Sequence, residues 1–146
     1  MGIFNFLTQE IAIDLGTANT LIIAHDKVMV DEPSIVAIDR KTEKVIAVGK
    51  RAMQMHEKTH ENIKTIRPLR DGVIADFQAA ESMIRGMISM IFPKNKLFKP
   101  SLVMVICIPS GITEVEKRAV KDSAEQAGAR EAYLIHEPMA AALGIG

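Results

Sequence analysis

Residues 13–20, with the sequence Ile-Asp-Leu-Gly-Thr-Ala-Asn-Thr, constrain the fold of this chain more than any other segment. An apolar stretch ending in Asp14 precedes the glycine, small polar residues follow it, and a second apolar stretch, residues 21–24, carries the chain onward. A turn without bulky side chains lets several backbone N–H groups converge on an anion, and a neighbouring carboxylate can hold a water of a bound Mg²⁺. The segment therefore predicts a phosphate-binding turn between two strands.

The position of this turn separates it from the commoner phosphate loops. Dinucleotide-binding loops and P-loops connect a strand to a helix, whereas both flanks here have the apolar character of strands. The alternative is an ordinary β-hairpin whose turn contains Gly16 and Thr17 and binds nothing. Taken alone, the eight residues leave both interpretations open.

The composition is that of an ordinary globular domain. The chain has 146 residues, of which 48% are hydrophobic and 25% charged, and its formal net charge is zero. This balance gives no electrostatic reason to expect nucleic-acid binding. The single cysteine, Cys107, allows no internal disulfide and suits a reducing compartment. Because it lies in an apolar run, we expect it to be a buried structural residue.

The apolar periodicity predicts an α/β order of elements. Three strands come first, and residues 32–75, which have fewer long apolar runs, form a small inserted lobe. Asp76 is a good N-cap for a helix whose apolar residues recur at helical spacing until Pro93. Residues 102–108 are apolar on both faces, which predicts a central parallel strand covered by helices.

The last third of the chain continues the alternation of helices and strands. Thr113 and Glu116 have the spacing of a capping box, and Gly128 marks the end of the helix that the box opens. Residues 131–135 predict a further strand, and Pro138 suits the first turn of a final helix. The predicted order is β-β-β, an inserted lobe, and then α-β-α-β-α.

Three motifs resemble those of the MreB family of bacterial actins. They are residues 13–20, residues 66–76 (IRPLRDGVIAD) and residues 137–144 (EPMAAALG). The first motif alone resembles the phosphate motif of the wider superfamily of actins, heat-shock chaperones and sugar kinases. The resemblance extends from about residue 10 to the last residue and covers only the first part of a family member.

This resemblance implies an actin-like (ribonuclease H-like) half-domain that binds ATP and Mg²⁺ in a cleft between two such halves. Residues 10–31 and 76–146 would form the core sheet of the half-domain, with residues 32–75 as the inserted lobe. Asp14 would hold Mg²⁺ through a water molecule; its structural alternative is to form the turn at a strand end. The implied phosphate-binding residues are Gly16, Thr17, Ala18 and Asn19.

The second implied site residue is Glu137, which follows a predicted strand and precedes the final helix. By resemblance it corresponds to the acid that orients the attacking water in heat-shock chaperones and the MreB family, a positioning role that suits phosphoryl transfer. Its alternative is the N-cap of that helix, for which glutamate is a poor residue. The chain departs from the family pattern at His136, where many members carry a second acid.

Two further groups of charged residues are weaker candidates. Arg67, Arg70 and Asp71 lie where the chain returns from the inserted lobe, and they fit a hinge, a protofilament surface or a structural ion-pair network. The inserted lobe also carries a basic set that is typical of a solvated face. Its members are Lys50, Arg51, Lys58 and Lys64.

Residues 1–9 begin with an apolar segment that contains no Lys or Arg. Ile3, Phe4 and Leu7 share one helical face, with Phe6 beside it, which fits a short membrane-surface anchor or a terminus that packs on its own domain. No stretch approaches the roughly 18 apolar residues of a membrane span. Several MreB proteins have an amphipathic N-terminal membrane segment, so the resemblance favours the anchor.

The resemblance also implies a function. It predicts a cytoplasmic protein whose filaments lie on the inner membrane, meet membrane proteins of the cell-elongation machinery, and govern rod shape and wall synthesis. Two alternatives share the superfamily: a sugar or acetate kinase, and the ATPase lobe of a heat-shock chaperone. The chain ends before the second phosphate loop and the adenine pocket of the family. We therefore expect ATP hydrolysis only where a second half closes the cleft.

Overall fold

The strands and helices follow the predicted order. The computed structural model describes residues 8–58, 61–92 and 101–146. Its strands are β1 (Thr8–Leu15), β2 (Asn19–Ala24), β3 (Lys27–Pro33), β4 (Val36–Asp39), β5 (Val45–Val48), β6 (Ile63–Ile66), β7 (Leu69–Arg70), β8 (Val73–Ile74), β9 (Ser101–Ile108) and β10 (Ala129–His136). Its helices are α1 (Gly49–Glu57), α2 (Phe77–Ile91), α3 (Glu114–Gln126) and α4 (Glu137–Ile145).

Five of these strands form the main sheet, in the order β10-β9-β1-β2-β3. Strand β2 is antiparallel to both of its neighbours, β1 and β3, because these three strands are consecutive in the chain and joined by tight turns. Strand β9 runs parallel to both β1 and β10, since each parallel pairing is separated by a stretch of chain that contains a helix. The carboxyl ends of β1, β9 and β10 therefore meet at one edge.

One face of this sheet is closed by α2 and α3. Side chains alternate along each strand, so that Ile11 and Ile13 of β1 and Met104 of β9 point into a core shared with Met83 and Met87 of α2. The apolar face predicted for this helix, which is rich in methionine, is thus part of the core.

The predicted start of α2 is confirmed. The Asp76 side chain accepts a hydrogen bond from the Ala79 N–H at 2.9 Å. Pro93, the predicted stop, lies outside the described residues.

A second, three-stranded sheet has the order β5-β4-β6. Strand β4 is buried on both sides: Val36 and Ile38 join the main core, while Ala37 belongs to a small cluster with Ala47 and Ala52 under α1. Strand β6 and the short pair β7–β8 were not predicted from the sequence, because their apolar runs are too short to show a period.

The other face of the main sheet is open, and this corrects the prediction for β9. Val105 is 36% exposed and Tyr133 is 54% exposed, and both lie in one row with Ile23 of β2. Cys107, which we expected to be buried, is only half-buried. The reason is that α2 and α3 pack on the same face, while α4 has no buried residue. We call this surface the open face.

The capping box at the start of α3 gives a test of local stability. Thr113 accepts a hydrogen bond from the Glu116 N–H at 3.3 Å, and its own N–H donates to the Glu116 carboxylate at 2.7 Å. Thr113→Ala should lower the free energy of unfolding by about 1 kcal/mol, measured by chemical denaturation. Lys121→Ala, an exposed change in the same helix, should stay within about 0.5 kcal/mol of the parent. Equal stability of both variants would contradict the capping assignment.

Candidate functional site

The carboxyl-end edge of the main sheet brings Asp14 and Glu137 to one place. Asp14 on β1 is the register partner of Cys107 on β9, and Cys107 in turn pairs with Ile135 on β10, two residues before Glu137. Burial raises the pKa of the Cys107 thiol, and the negative charges of Asp14 and Glu137 raise it further. The two predicted acids therefore flank one thiol.

Asp14 is exposed at the end of β1 and points to the open face. Its alternative role, to form the turn at the strand end, requires it to accept a hydrogen bond from a nearby backbone N–H. No residue within the described ranges donates one to it. The carboxylate is therefore left facing solvent beside the turn.

The turn between β1 and β2, residues 16–18, is built around a close backbone contact. A Cβ atom at residue 16 would overlap the carbonyl oxygen of Asn19, so the turn requires glycine for space. Thr17 and Ala18 are exposed. Across the described parts of the chain, neither of their N–H groups has a hydrogen-bond acceptor. Two adjacent backbone donors are thus free to meet an anion.

The turn is fastened from behind by Ser34, which follows β3. The Ser34 hydroxyl donates to the Gly16 carbonyl at 2.6 Å, and the Ser34 N–H donates to the Ala18 carbonyl at 2.8 Å. The Thr20 hydroxyl lies 2.9 Å from the Ser34 oxygen, and both side chains are fully buried. Sequence reasoning missed Ser34, since serine before an apolar run carries no signal of a contact 18 residues away.

Further contacts join the turn to the chain on either side of the second sheet. The Gly72 N–H donates to the Thr17 hydroxyl at 3.0 Å. The side-chain amide of Asn19 donates to the Asp31 carboxylate at 3.0 Å. The predicted phosphate-binding residues are therefore held from two sides: by β3, which precedes the second sheet in the chain, and by Gly72, which follows it.

The structure removes one of the three alternatives for Arg67, Arg70 and Asp71. None of them forms an ion pair in the described part of the chain, so the ion-pair network is wrong, and the hinge and the protofilament surface stay predictions. Arg67 instead donates to the Ala18 carbonyl at 3.4 Å. Together with Thr17, these residues line a cleft of about 420 Å³ beside the turn.

Lys50 also departs from its predicted role as a purely solvated residue. Its ammonium group donates to the Asp31 carbonyl at 3.0 Å and lies 3.4 Å from the Glu32 carboxylate. Its N–H donates to the same carboxylate at 2.6 Å. Because Lys50 lies at the start of α1, these bonds fasten that helix to β3.

Glu137 is the first residue of α4, and His136 occupies the N-cap position. The alternative role of Glu137 as the N-cap is therefore wrong. The His136 ring nitrogen Nδ1 lies 3.4 Å from the Pro109 carbonyl oxygen.

A groove that is larger than the cleft beside the turn, with a volume of about 1030 Å³, lies between β5 and α2. It includes neither Glu137 nor any residue of the β1–β2 turn.

The family model for MreB/Mbl protein matches residues 8–146. The chain belongs to the MreB/Mbl family. It is 47% identical to the cell shape-determining protein Mbl of Bacillus subtilis strain 168 over 139 residues, which are 94% of this chain and 41% of that protein. It is 48% identical to MreB of Escherichia coli strain K12 over 144 residues, 95% of this chain and 41% of that protein. This membership decides against the sugar kinase and heat-shock chaperone alternatives.

Solved structures give the same result for the fold. MreB5 of Spiroplasma citri bound to ADP superposes with a TM-score of 0.79 at 40% identity, covering 95% of this chain and 41% of that one. The same protein bound to AMPPNP gives 0.78 at 37% identity, covering 94% and 41%. The predicted actin-like half-domain is confirmed.

The chain spans about 41% of the length of the relatives that it matches. No helix in the described ranges is long and apolar enough to cross a membrane.

The placement of Asp14 beside Cys107 predicts how the thiol reacts. Asp14→Asn removes one negative charge, so the pKa of the thiol should fall and more of the reactive thiolate should form near pH 8. We expect alkylation by iodoacetamide near pH 8 to become faster in this variant, because the Asp14 charge is one of the causes that raise the pKa of the thiol. Because burial is the larger cause, the pKa should stay above its ordinary value.

Glu10→Gln is the matched control for this measurement. Glu10 lies on β1 and faces the same side as Asp14, but it pairs with Val103, at the other end of β9. Its removal should leave the alkylation rate unchanged. Identical rates for the parent and Asp14→Asn would contradict the placement of Asp14 beside the thiol.

Proposed function

We propose that this chain forms the first half of the ATP-binding cleft of an actin-like cytoskeletal protein that governs bacterial rod shape and wall synthesis. The observation that carries the proposal is the exposed β1–β2 turn, with free N–H groups at Thr17 and Ala18 and two carboxylates at the same edge of the sheet. The matching MreB and Mbl proteins are named for cell shape, and the MreB5 structures hold ADP and AMPPNP.

The residues of the turn fit the phosphates of a nucleotide. Gly16 allows the close backbone contact with Asn19 that shapes the turn, and the N–H groups of the exposed residues Thr17 and Ala18 supply donors that cost no existing hydrogen bond. Asn19 is the fourth residue that we propose to contact the phosphates. Asp14, exposed and without a bonded partner among the described residues, would hold Mg²⁺ through a water molecule. The bound Mg-ATP would supply the reactive phosphoanhydride.

Glu137 would orient the water that attacks the terminal phosphate. It lies at the edge that carries Asp14, and the negative charges of both reach Cys107. An acid in this position accepts a proton from the attacking water and aligns it, which is most of what a protein adds to phosphoryl transfer. His136 replaces the second acid of many family members and adds no negative charge beside it.

A complete site requires the opposite half of the cleft. The chain spans about 41% of its relatives, and the open face of its sheet exposes Val105 and Tyr133. Contacts from one turn do not offset the entropy of fixing a flexible triphosphate. The isolated 146 residues should therefore bind ATP weakly and show no meaningful hydrolysis.

The domain organisation that we propose divides the chain into three parts. Residues 10–31 and 76–146 form the core of the half-domain, and residues 32–75 form the inserted lobe, supported by the separate cluster of Ile35, Ala37, Ala47 and Ala52. The amphipathic membrane segment expected at residues 1–9 is shortened to residues 1–7, which lie outside the described residues, because Thr8 and Gln9 begin β1 and pair with Ser101 and Leu102.

The partners follow from the family. We propose self-association into filaments, attachment to the inner-membrane surface from the cytoplasm, and contact with membrane proteins of the cell-elongation machinery. The zero net charge gives no support to nucleic acid as a partner.

The site assignment is tested in a chimera in which this chain replaces the matching segment of E. coli MreB, which supplies the rest of the cleft. Asp14→Ala should abolish Mg-ATP binding in titration calorimetry, because the cation loses its carboxylate. Glu137→Ala should leave the Kd nearly unchanged yet slow hydrolysis by roughly 10²–10⁴-fold, the usual effect of a lost general base.

Glu10→Gln serves as the control for both variants, since it removes a carboxylate from the same face of β1 at the far end of the strand. It should alter neither binding nor turnover. Unchanged affinity in Asp14→Ala would refute the phosphate site. Normal turnover in Glu137→Ala would leave this residue without a catalytic role.

The membrane segment is tested by removal of residues 1–7 from the chimera, which leaves β1 whole. Burial of the apolar side chains of this segment should contribute a few kcal/mol of lipid affinity at about 25 cal/mol per Å². Because the segment contains no Lys or Arg, binding to liposomes should depend little on anionic lipid or salt. Co-sedimentation should fall after the deletion; equal pelleting of both proteins would mean that the segment packs on protein.

A further inference from the structure

We infer that Ser34 is the positioning residue of the β1–β2 turn: its buried hydroxyl holds the turn in the conformation that binds a polyphosphate, although it does not itself face the ligand. The inference rests on the proposed function and deepens it. It names a residue that lies outside the phosphate motif in sequence and is joined to that motif only by the fold.

Ser34 binds two carbonyl groups of the turn and so keeps their oxygens away from a ligand. Its hydroxyl donates to the Gly16 carbonyl at 2.6 Å, and its N–H donates to the Ala18 carbonyl at 2.8 Å. Carbonyl oxygens carry partial negative charge and would repel a phosphate. With both of them turned towards Ser34, the negative ends of these peptide groups face the protein interior.

The bond to the Gly16 carbonyl also sets the direction of one donor of the turn. The C=O of one residue and the N–H of the next belong to one planar peptide group and point in opposite directions when the peptide is trans. The described chain has no cis peptide bond. The bond between the Ser34 hydroxyl and the Gly16 carbonyl therefore directs the Thr17 N–H away from Ser34.

The Ser34 oxygen also accepts a hydrogen bond from Thr20. The two oxygens lie 2.9 Å apart, and both side chains are fully buried. A serine hydroxyl has a single hydrogen, which Ser34 uses on the Gly16 carbonyl, so the Thr20 hydroxyl must be the donor to Ser34. The result is a directed chain of bonds from Thr20 through Ser34 to Gly16.

Two substitutions in this hydrogen-bond network should therefore have different effects on the turn. Ser34→Ala removes the bond to the Gly16 carbonyl, after which that peptide group is free to rotate and the Thr17 N–H loses its direction. Thr20→Val, which is similar in shape, removes an equally buried hydroxyl but leaves the Ser34–Gly16 bond in place. Both changes lower stability, and only the first alters the turn.

The experiment measures the affinity of the chimera for Mg-ADP and for adenosine, which lacks phosphates. Ser34→Ala should weaken Mg-ADP binding at least about tenfold, the loss expected for a hydrogen-bonded phosphate donor, while adenosine affinity stays within about twofold. Thr20→Val should change Mg-ADP affinity less than about threefold, even where both variants melt at lower temperature. Equal loss of ADP and adenosine affinity in Ser34→Ala would show general disruption and overturn the inference.

A second variant keeps the test decisive where Ser34→Ala does not fold. Ser34→Cys places a somewhat larger sulfur atom at this position and retains only a weak donor, so it should lose Mg-ADP affinity selectively and by a smaller factor. Unchanged Mg-ADP affinity in whichever of Ser34→Ala and Ser34→Cys folds would overturn the role of Ser34 while the proposed function stands. Failure of the unsubstituted chimera to bind Mg-ADP would instead overturn the proposed function.

Discussion

The parallel pairing of β1, β9 and β10 is the constraint on which the rest of this structure depends. It sets the carboxyl ends of three strands side by side, so that Asp14, Cys107 and the residue before Glu137 arrive at one edge although they are distant in sequence. The core formed with α2 and α3 fixes the register, because a shift by one residue would turn every buried side chain outward. The position of the two acids is thus a consequence of core packing.

The β1–β2 turn depends on a second set of contacts, which come from outside the main sheet. Ser34 holds the turn where the chain leaves for β4, and Gly72 and Arg67 hold it where the chain returns. The second sheet is therefore connected to the turn through both of its ends. Its helix α1 is fastened to β3 by the bonds between Lys50 and Glu32.

The sequence predicted what local patterns determine. The order of elements, the cap at Asp76 and the box at Thr113 are confirmed, because each depends on residues within a few positions of one another. The contacts of Ser34 and Gly72 with the turn span 18 and 55 residues and leave no local pattern. The open face was missed for a similar reason: an apolar run such as β9 shows that both sides are apolar and does not show what covers them. The roles of Asp14 and Glu137 are still predictions, since their position is known and their chemistry is untested.

The most direct measurement of the central claim is a crystal structure of the chimera with E. coli MreB bound to Mg-AMPPNP. We expect phosphate oxygens about 2.7–3.2 Å from the N–H nitrogens of Thr17 and Ala18. The Asp14 carboxylate should contact Mg²⁺ through a water molecule, and the Gly16 carbonyl should still accept a hydrogen bond from Ser34. Phosphates bound away from this turn, or a Gly16 carbonyl that points towards them, would contradict the claim.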